Sequence, residues 1–196
     1  IHTATAARLF NKKEGDVTKE ERRHAKEANF GVLYGLGARG LQERLGVSYE
    51  EAEDFIARYR ALYPKVFLFL HSVIELTRKR GYAETLYGRR RYLGDINSGS
   101  PVLRAAAERA AINMPVQGTS ADIIKRAMIE INTKFKTLNP KTEAGRVRML
   151  LQVHDELVFE VNKDSVHELA KMIKEEMEQV AKLRVPLKVD AKVGEN

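Results

Sequence analysis

The sequence predicts an α+β fold, helical up to about Arg80 and mixed beyond it. Three observations carry this. Two boxes of the form Thr/Ser-x-x-Glu, "TKEE" at Thr18–Glu21 and "SYEE" at Ser48–Glu51, each open a long helical pattern. From Tyr82 the apolar period shortens in "YAETLYGRRRYL", and it alternates again in "VRMLLQV" and "ELVFEV". An amphipathic stretch, "SVHELAKMIKEEMEQVAKL", follows those last strands and supplies a helix to cover one face of a sheet.

Taken in order, residues 1–11 read as a short helix and "NKKEGD" as a loop. The helix opened by Thr18 runs to about Tyr34, where the glycines of "GLGARG" end it. The helix opened by Ser48 runs to about Leu62 and is broken by Pro64. Another follows to Arg80, with Gly81 as its cap. "YAETLYGRRRYL" reads as a hairpin turning near Gly88, and "GDINSGSP" as a loop. Helical patterns resume over Val102–Met114 and from about Gln117 to Lys136, interrupted by Pro115. "TLNPKTEAG" is linker-like. "VRMLLQV" and "ELVFEV" flank "HD" as the arms of a hairpin. The last helix places Val166, Leu169, Ile173, Met177 and Val180 on one face, and "VPLKVDAKV" alternates as a final strand.

Net charge is +7, which favours polyanionic partners: nucleic acid, nucleotides or anionic lipid. The same surplus can serve solubility alone. The absence of cysteine excludes disulfides, thiolate nucleophiles and cysteine-ligated zinc. No apolar run approaches the roughly 20 residues that span a bilayer, and "VFLFL" at Val66–Leu70 is the densest. The opening "IHTATAARLF" lacks Met and already reads as helix, and the end stops just after an alternating pattern. Both ends read as cut, which predicts a piece of a longer chain.

Within "RRHAKEANFGVLYG", Arg22, Lys26, Phe30 and Tyr34 recur at steps of four. On a helix each such step advances about 40° net, so the four form one slanting stripe. Two cations precede two aromatics, which is the order of a nucleoside triphosphate laid along the helix: polyanionic tail, then flat base. Arg22 can grip an outer phosphate bidentately, Lys26 offers a point charge and a proton near the reacting phosphorus, and Phe30 can stack on sugar and base. Gly31 and Gly35 leave room for close approach or bending. The pattern equally fits an amphipathic helix with Phe30, Val32 and Leu33 in the core and the cations solvated.

The spacing R-x3-K-x7-Y-G, here Arg22, Lys26, Tyr34 and Gly35 around "NFGVLYG", resembles the fingers-helix motif of family A DNA polymerases, the bacterial DNA polymerase I type. Two further stretches resemble the family in the same order. "LLQVHDELVFEV" is similar to its palm hairpin, which implies Asp155 as metal ligand, Glu156 beside it in a secondary role and His154 near the primer terminus. A tight turn between buried strands can hold a carboxylate rigidly at a surface, and Mg²⁺ takes one or two carboxylates plus substrate phosphates. An acidic hairpin turn with no ligand has the same local form. "ERAAINMPVQGTSAD" places Arg109, Asn113 and Gln117 at steps of four, long polar side chains able to reach minor-groove acceptors common to every base pair. Pro115 disturbs that spacing, and a polar solvent face is the alternative. "YGRRRY" resembles the duplex-contacting segment, with Arg91 touching the primer–template backbone or simply solvated. His2 matches a family position near the β-phosphate.

The resemblance covers the whole chain and implies helical fingers over residues 1–81, with the rest of the fingers and the C-terminal palm over 82–196. It implies template-directed addition of dNTPs to a primer 3′-OH, two Mg²⁺ ions, primer–template DNA as partner, no membrane, a monomer and a cytoplasmic location at the bacterial nucleoid, with organelle or phage origin left open. It places the second ion-bridging aspartate upstream of "IHT", so the palm core is expected to be incomplete and the chain alone inactive. Phe30 implies discrimination against nucleotides lacking a 3′-OH. Two other classes compete: a non-catalytic nucleic-acid-binding module, which needs neither Asp155 nor Lys26, and a structural domain whose helices only pack.

Overall fold

In a computed structural model of the chain, residues 2–137 and 147–194 are described. The chain forms two compact units, Ile1–Glu84 with Gly88–Pro115, and Thr85–Tyr87 with Val116–Asn196.

The first unit contains helices α1 (His2–Leu9), α2 (Lys19–Gly31), α3 (Ala38–Leu45), α4 (Tyr49–Leu62) and α5 (Pro64–Arg80), the strands β1 (Tyr82–Glu84) and β2 (Arg90–Tyr92), and helix α6 (Pro101–Asn113). Both capping boxes form. Thr18 Oγ1 accepts from the Glu21 N–H at 3.1 Å while Glu21 accepts from the Thr18 N–H at 2.9 Å, and Ser48 and Glu51 repeat the exchange. Each satisfies two backbone donors that a helix start leaves open, a contribution of about 1 kcal/mol. Pro64 takes the first position of α5, where its missing N–H costs nothing, and Gly81 closes that helix in the left-handed conformation.

The core of this unit explains which side of α2 is exposed. Ala6 of α1 meets Ala25 and Ala28 of α2, all fully buried, and Leu41, Ile56 and Tyr59 of the next helices complete the layer. Small side chains let α1 and α2 approach closely, so the buried face of α2 is narrow: Ala25, Ala28, Asn29, Gly31 and, just beyond the helix, Val32. A second core cluster joins α5, the β1–β2 hairpin and α6 through Val73, Ala83, Ile96 and Ala111.

The second unit contains α7 (Thr119–Thr137), β3 (Val147–Val153), β4 (Glu156–Val161) and α8 (Val166–Gln179). β3 and β4 pair antiparallel with a bulge between Met149 and Leu151. Ile131 and Ala127 of α7 pack with Ile173 of α8, and Met149, Leu157 and Phe159 of the hairpin lie against them. Of the expected inner face of α8, Leu169 and Ile173 are buried and Met177 packs on the cluster, with Val180 just past the helix end.

Two expectations need correction. Helix α3 is absent from the sequence reading, because its start lies among glycines and only Leu41 and Leu45 mark its buried side. The alternating stretch Val185–Val193 is not a strand. Alternation gives a segment one face to bury, but a strand also needs a neighbour, and β3 and β4 pair only with each other among the described residues. That stretch is tethered instead through the Val189 N–H, which donates to the Glu178 carboxylate at 3.0 Å. Beyond Thr137, the expected linker lies outside the described residues. No helix among the described residues is long and apolar enough to cross a membrane.

Candidate active site

Arg22, Lys26 and Phe30 all stand on the exposed side of α2. Among the described residues neither the Arg22 nor the Lys26 side chain makes a hydrogen bond or ion pair, whereas Arg23 between them is paired with Glu20 at 3.7 Å and Glu27 at 3.4 Å. The helix thus neutralises the cation that lies off the stripe and leaves the two on it uncompensated. Phe30 is 50% exposed. The alternative in which Phe30 joins the core fails for a stated reason: α1 meets α2 over alanines, a quarter-turn or more from Phe30, and only Val32 of the apolar trio is buried.

Tyr34 lies past the regular end of α2, yet the chain is still wound there. Its N–H reaches the Phe30 carbonyl at 3.2 Å, the Leu36 N–H returns to the Gly31 carbonyl at 2.8 Å and the Gly35 N–H to Val32 at 3.1 Å. With Gly35 at φ +86°, this is a Schellman cap whose last wound residue is Tyr34. The stripe therefore holds at steps of four to its last member.

His2 is brought to the same face from α1. Its ring lies 5.6 Å from that of Phe30, and Nδ1 is 3.0 Å from Asn29 Nδ2. Burial, then the charges of Arg22, the terminal ammonium of this chain and Lys26, hold its imidazole below the ordinary value, which favours the neutral ring. The first unit thus gathers His2, Arg22, Lys26, Phe30 and Tyr34, five of the residues singled out in the sequence.

Gly35 also sets the position of Arg109. A Cβ built on Gly35 would lie 2.8 Å from Arg109 Cγ and 3.2 Å from Ile112 Cδ1, so α6 comes as close to the end of α2 as a bare backbone allows. Gly35→Ala should lower the stability of the full-length protein by roughly 1–2 kcal/mol, from the left-handed backbone alone. Thermal unfolding reads this, and an unchanged melting temperature would remove this role for Gly35. Asn113 ends α6 with its Oδ1 buried and without a hydrogen-bond partner among the described residues, and Gln117 sits in a five-residue π turn, Met114–Gly118, that contains Pro115. Pro115 has no N–H to continue the α ladder, and the wider turn absorbs it. Gln117 therefore does not continue the α-helical step from Arg109 and Asn113.

In the β1–β2 hairpin, Tyr82 pairs with Tyr92 and Ala83 with Arg91. Arg90 is committed: its guanidinium lies 4.5 Å over the Tyr82 ring and 3.8 Å from Glu84. Arg91 is exposed and has no such partner among the described residues.

In the second unit, His154 and Asp155 form the two-residue turn between β3 and β4. His154 has φ +53°, a left-handed conformation uncommon outside glycine. Gln152 Nε2 donates to the His154 carbonyl at 2.9 Å and braces the turn. Asp155 and Glu156 are exposed, and Asp155 has no hydrogen bond or ion pair among the described residues.

Comparison with known proteins decides the family. Residues 1–196 match DNA polymerase family A. The chain belongs to that family. It is 44% identical over 194 residues to DNA polymerase I of Geobacillus stearothermophilus, covering 99% of this chain and 22% of that protein. It is 48% identical over 196 residues to the thermostable DNA polymerase I of Thermus thermophilus, covering 100% and 23%. The chain thus spans under a quarter of the length of these curated relatives. The solved Pol domain of Pol1 from M. smegmatis, in complex with DNA primer-template and dNTP, matches with a TM-score of 0.86 at 43% identity, over 95% of this chain and 32% of that one. The α+β fold of this family A chain is therefore that of part of a polymerase domain.

Some residues around the family A motifs carry no motif signal of their own. Asn29 reads as an ordinary polar helix position, yet it is buried and bonded to Thr5, Tyr59 and His2. Gln152 is one polar residue in an apolar arm. A polar residue inside an otherwise apolar or small-residue face was the available clue in both cases.

Proposed function

We propose that this chain serves template-directed DNA synthesis, the addition of deoxynucleoside triphosphates to a primer 3′-OH. The observation that carries the reading is the uncompensated pair Arg22 and Lys26, followed by half-exposed Phe30, with neutral His2 beside it. Arg22 binds an outer phosphate bidentately. Lys26 neutralises charge that grows on the transferred phosphate and donates a proton to the departing pyrophosphate. Phe30 and Tyr34 pack on sugar and base. Arg91, Arg109, Asn113, Gln117 and His154 are assigned to the primer–template, a partner supported by the complex solved for the M. smegmatis relative. The reading takes the protein as a cytoplasmic monomer, with residues 1–81 as fingers and 82–196 as the rest of the fingers and the palm.

Asp155, with Glu156 next to it, is the group that would hold Mg²⁺. The fit rests on its exposed, unengaged carboxylate, since Mg²⁺ binds through one or two carboxylates and substrate phosphates. Two bound ions would supply activation of the 3′-hydroxyl and charge relief at the transferred phosphate. Among the described residues no group of three or more His, Asp or Glu could hold an ion, so phosphates or further residues complete the shell.

Primer extension by the full-length protein with dNTPs and Mg²⁺ tests the reading, and a protein that binds primer–template but extends nothing would overturn it in favour of a binding module. The same assay probes Phe30. Its ring offers no hydrogen bond to a nucleotide lacking the 3′-OH, so dideoxynucleotides should be poor substrates. Phe30→Tyr adds a hydroxyl and should raise their incorporation by about tenfold or more. Equal incorporation by both proteins would remove Phe30 from the sugar contact.

A further inference from the structure

Asn29 is 9% exposed, directly beside exposed Phe30, and forms the hub of a polar cluster inside an otherwise apolar helix contact. Its Oδ1 accepts from Tyr59 Oη at 2.8 Å. Its Nδ2 lies 3.2 Å from Thr5 Oγ1 and 3.0 Å from His2 Nδ1. Thr5 Oγ1 is in turn 3.2 Å from Tyr63 Oη. The cluster thus draws on α1, α2 and α4, and on Tyr63 between α4 and α5.

In the structure two hydroxyls, those of Tyr59 at 2.8 Å and Thr5 at 3.4 Å, converge on the Asn29 Oδ1 side of the amide. Burial pushes the Tyr59 hydroxyl up to about 12, so its proton is available for that bond. Its acceptor is Asn29 Oδ1, which turns the amide NH₂ toward His2. An Nδ1 that accepts a hydrogen bond carries no proton. A neutral imidazole then holds its single proton on Nε2. The opposite tautomer would present the Nε2 lone pair outward, which repels an anion. An imidazolium is opposed by partial burial and by Arg22 and Lys26.

We propose that Asn29 is a positioning residue for phosphate recognition: it commits His2 Nδ1 to α2 and leaves Nε2–H as a neutral donor for a triphosphate oxygen. The inference rests on the reading of the α2 face as the triphosphate site. A cluster serving only to fill the core would have no need of one particular histidine tautomer, and that difference is measurable.

The experiment uses the full-length protein. Histidine ¹⁵N spectra, with His2→Ala for assignment, read the ring of His2 without nucleotide. The expected result is a protonated Nε2 and an unprotonated Nδ1. Asn29→Asp, nearly isosteric, replaces the donor by an acceptor and should move the proton to Nδ1, and it keeps the test open if Asn29→Ala does not fold. In steady-state extension, Asn29→Ala and Asn29→Asp should raise the KM for dNTP on the order of tenfold, the value of one charge-assisted hydrogen bond, with a smaller change in kcat. Combined with His2→Ala, neither should raise KM beyond His2→Ala alone. A proton on Nδ1 in the unmodified protein, additive KM effects, or a loss of kcat at constant KM would each overturn the proposal. Absence of primer extension with the Nε2–H tautomer intact would overturn the polymerase reading and the phosphate role together, whereas a wrong tautomer in an active enzyme overturns the inference alone.

Discussion

Asp155→Ala in the full-length protein should lower nucleotide addition by at least about 10³-fold while leaving the fold and primer–template affinity nearly unchanged. The side chain is exposed and has no protein partner among the described residues, so its removal breaks no folded contact. Substitutions at such positions usually shift stability by no more than about 0.5 kcal/mol. On the proposed role of Asp155, the rate would lose a ligand to the ions that stabilise charge, a loss of several kcal/mol at about 1.4 kcal/mol per tenfold. The turn is set by left-handed His154 before the aspartate and by the Gln152 side chain, which donates to the His154 carbonyl. Single-turnover kinetics against Mg²⁺ concentration check this. An active Asp155→Ala enzyme with unaltered Mg²⁺ dependence would remove Asp155 from the metal site. The 196-residue chain alone is expected to extend no primer in either form, and extension that depends on Asp155 would mean that its remaining ligands lie within these residues.

Lys26→Ala is expected to slow the chemical step by about 10²-fold or more, the range of a positioned proton donor, with primer–template affinity changed little. Two features support a role in the reaction. Lys26 lacks the glutamate partners that its neighbour Arg23 has, so its charge is free for a ligand. It also sits one helical step from Arg22 and one from Phe30, between the residues proposed to hold the outer phosphate and the sugar. Lys26→Arg keeps the charge but donates a proton poorly, so it should restore nucleotide binding more than rate. A loss confined to DNA affinity, with the rate of the bound complex intact, would assign Lys26 to a binding module instead.

Much of the fold was legible because its signals are local. A capping box lies within four residues, and Pro64, Gly81 and Gly88 act on their own backbone. The hairpins declared themselves by alternation around a turn. Where the reading failed, the deciding partner was distant or missing. Val185–Val193 alternates like a strand but has no strand beside it, and α3 is an eight-residue helix whose stability comes from burying Leu41 and Leu45 against helices elsewhere in the chain. The π turn at Met114–Gly118 lies between: Pro115 announced a disturbance, and the form it took was not written in the spacing.

The site divides in the same way. The sequence by itself determined the residue types and their order along α2, the carboxylate turn between two apolar arms, and the family to which both belong. Only the tertiary structure decided that Phe30 faces solvent, because alanine packing against α1 set the buried face of α2. It alone showed that His2 lies on Phe30, that Asn29 holds it from 27 residues away, and that Gly35 brings Arg109 to the end of the stripe. Spacing along one helix fixes the angles between its own side chains. Which of those angles meets a neighbour, an anion or water depends on what the rest of the chain packs against it.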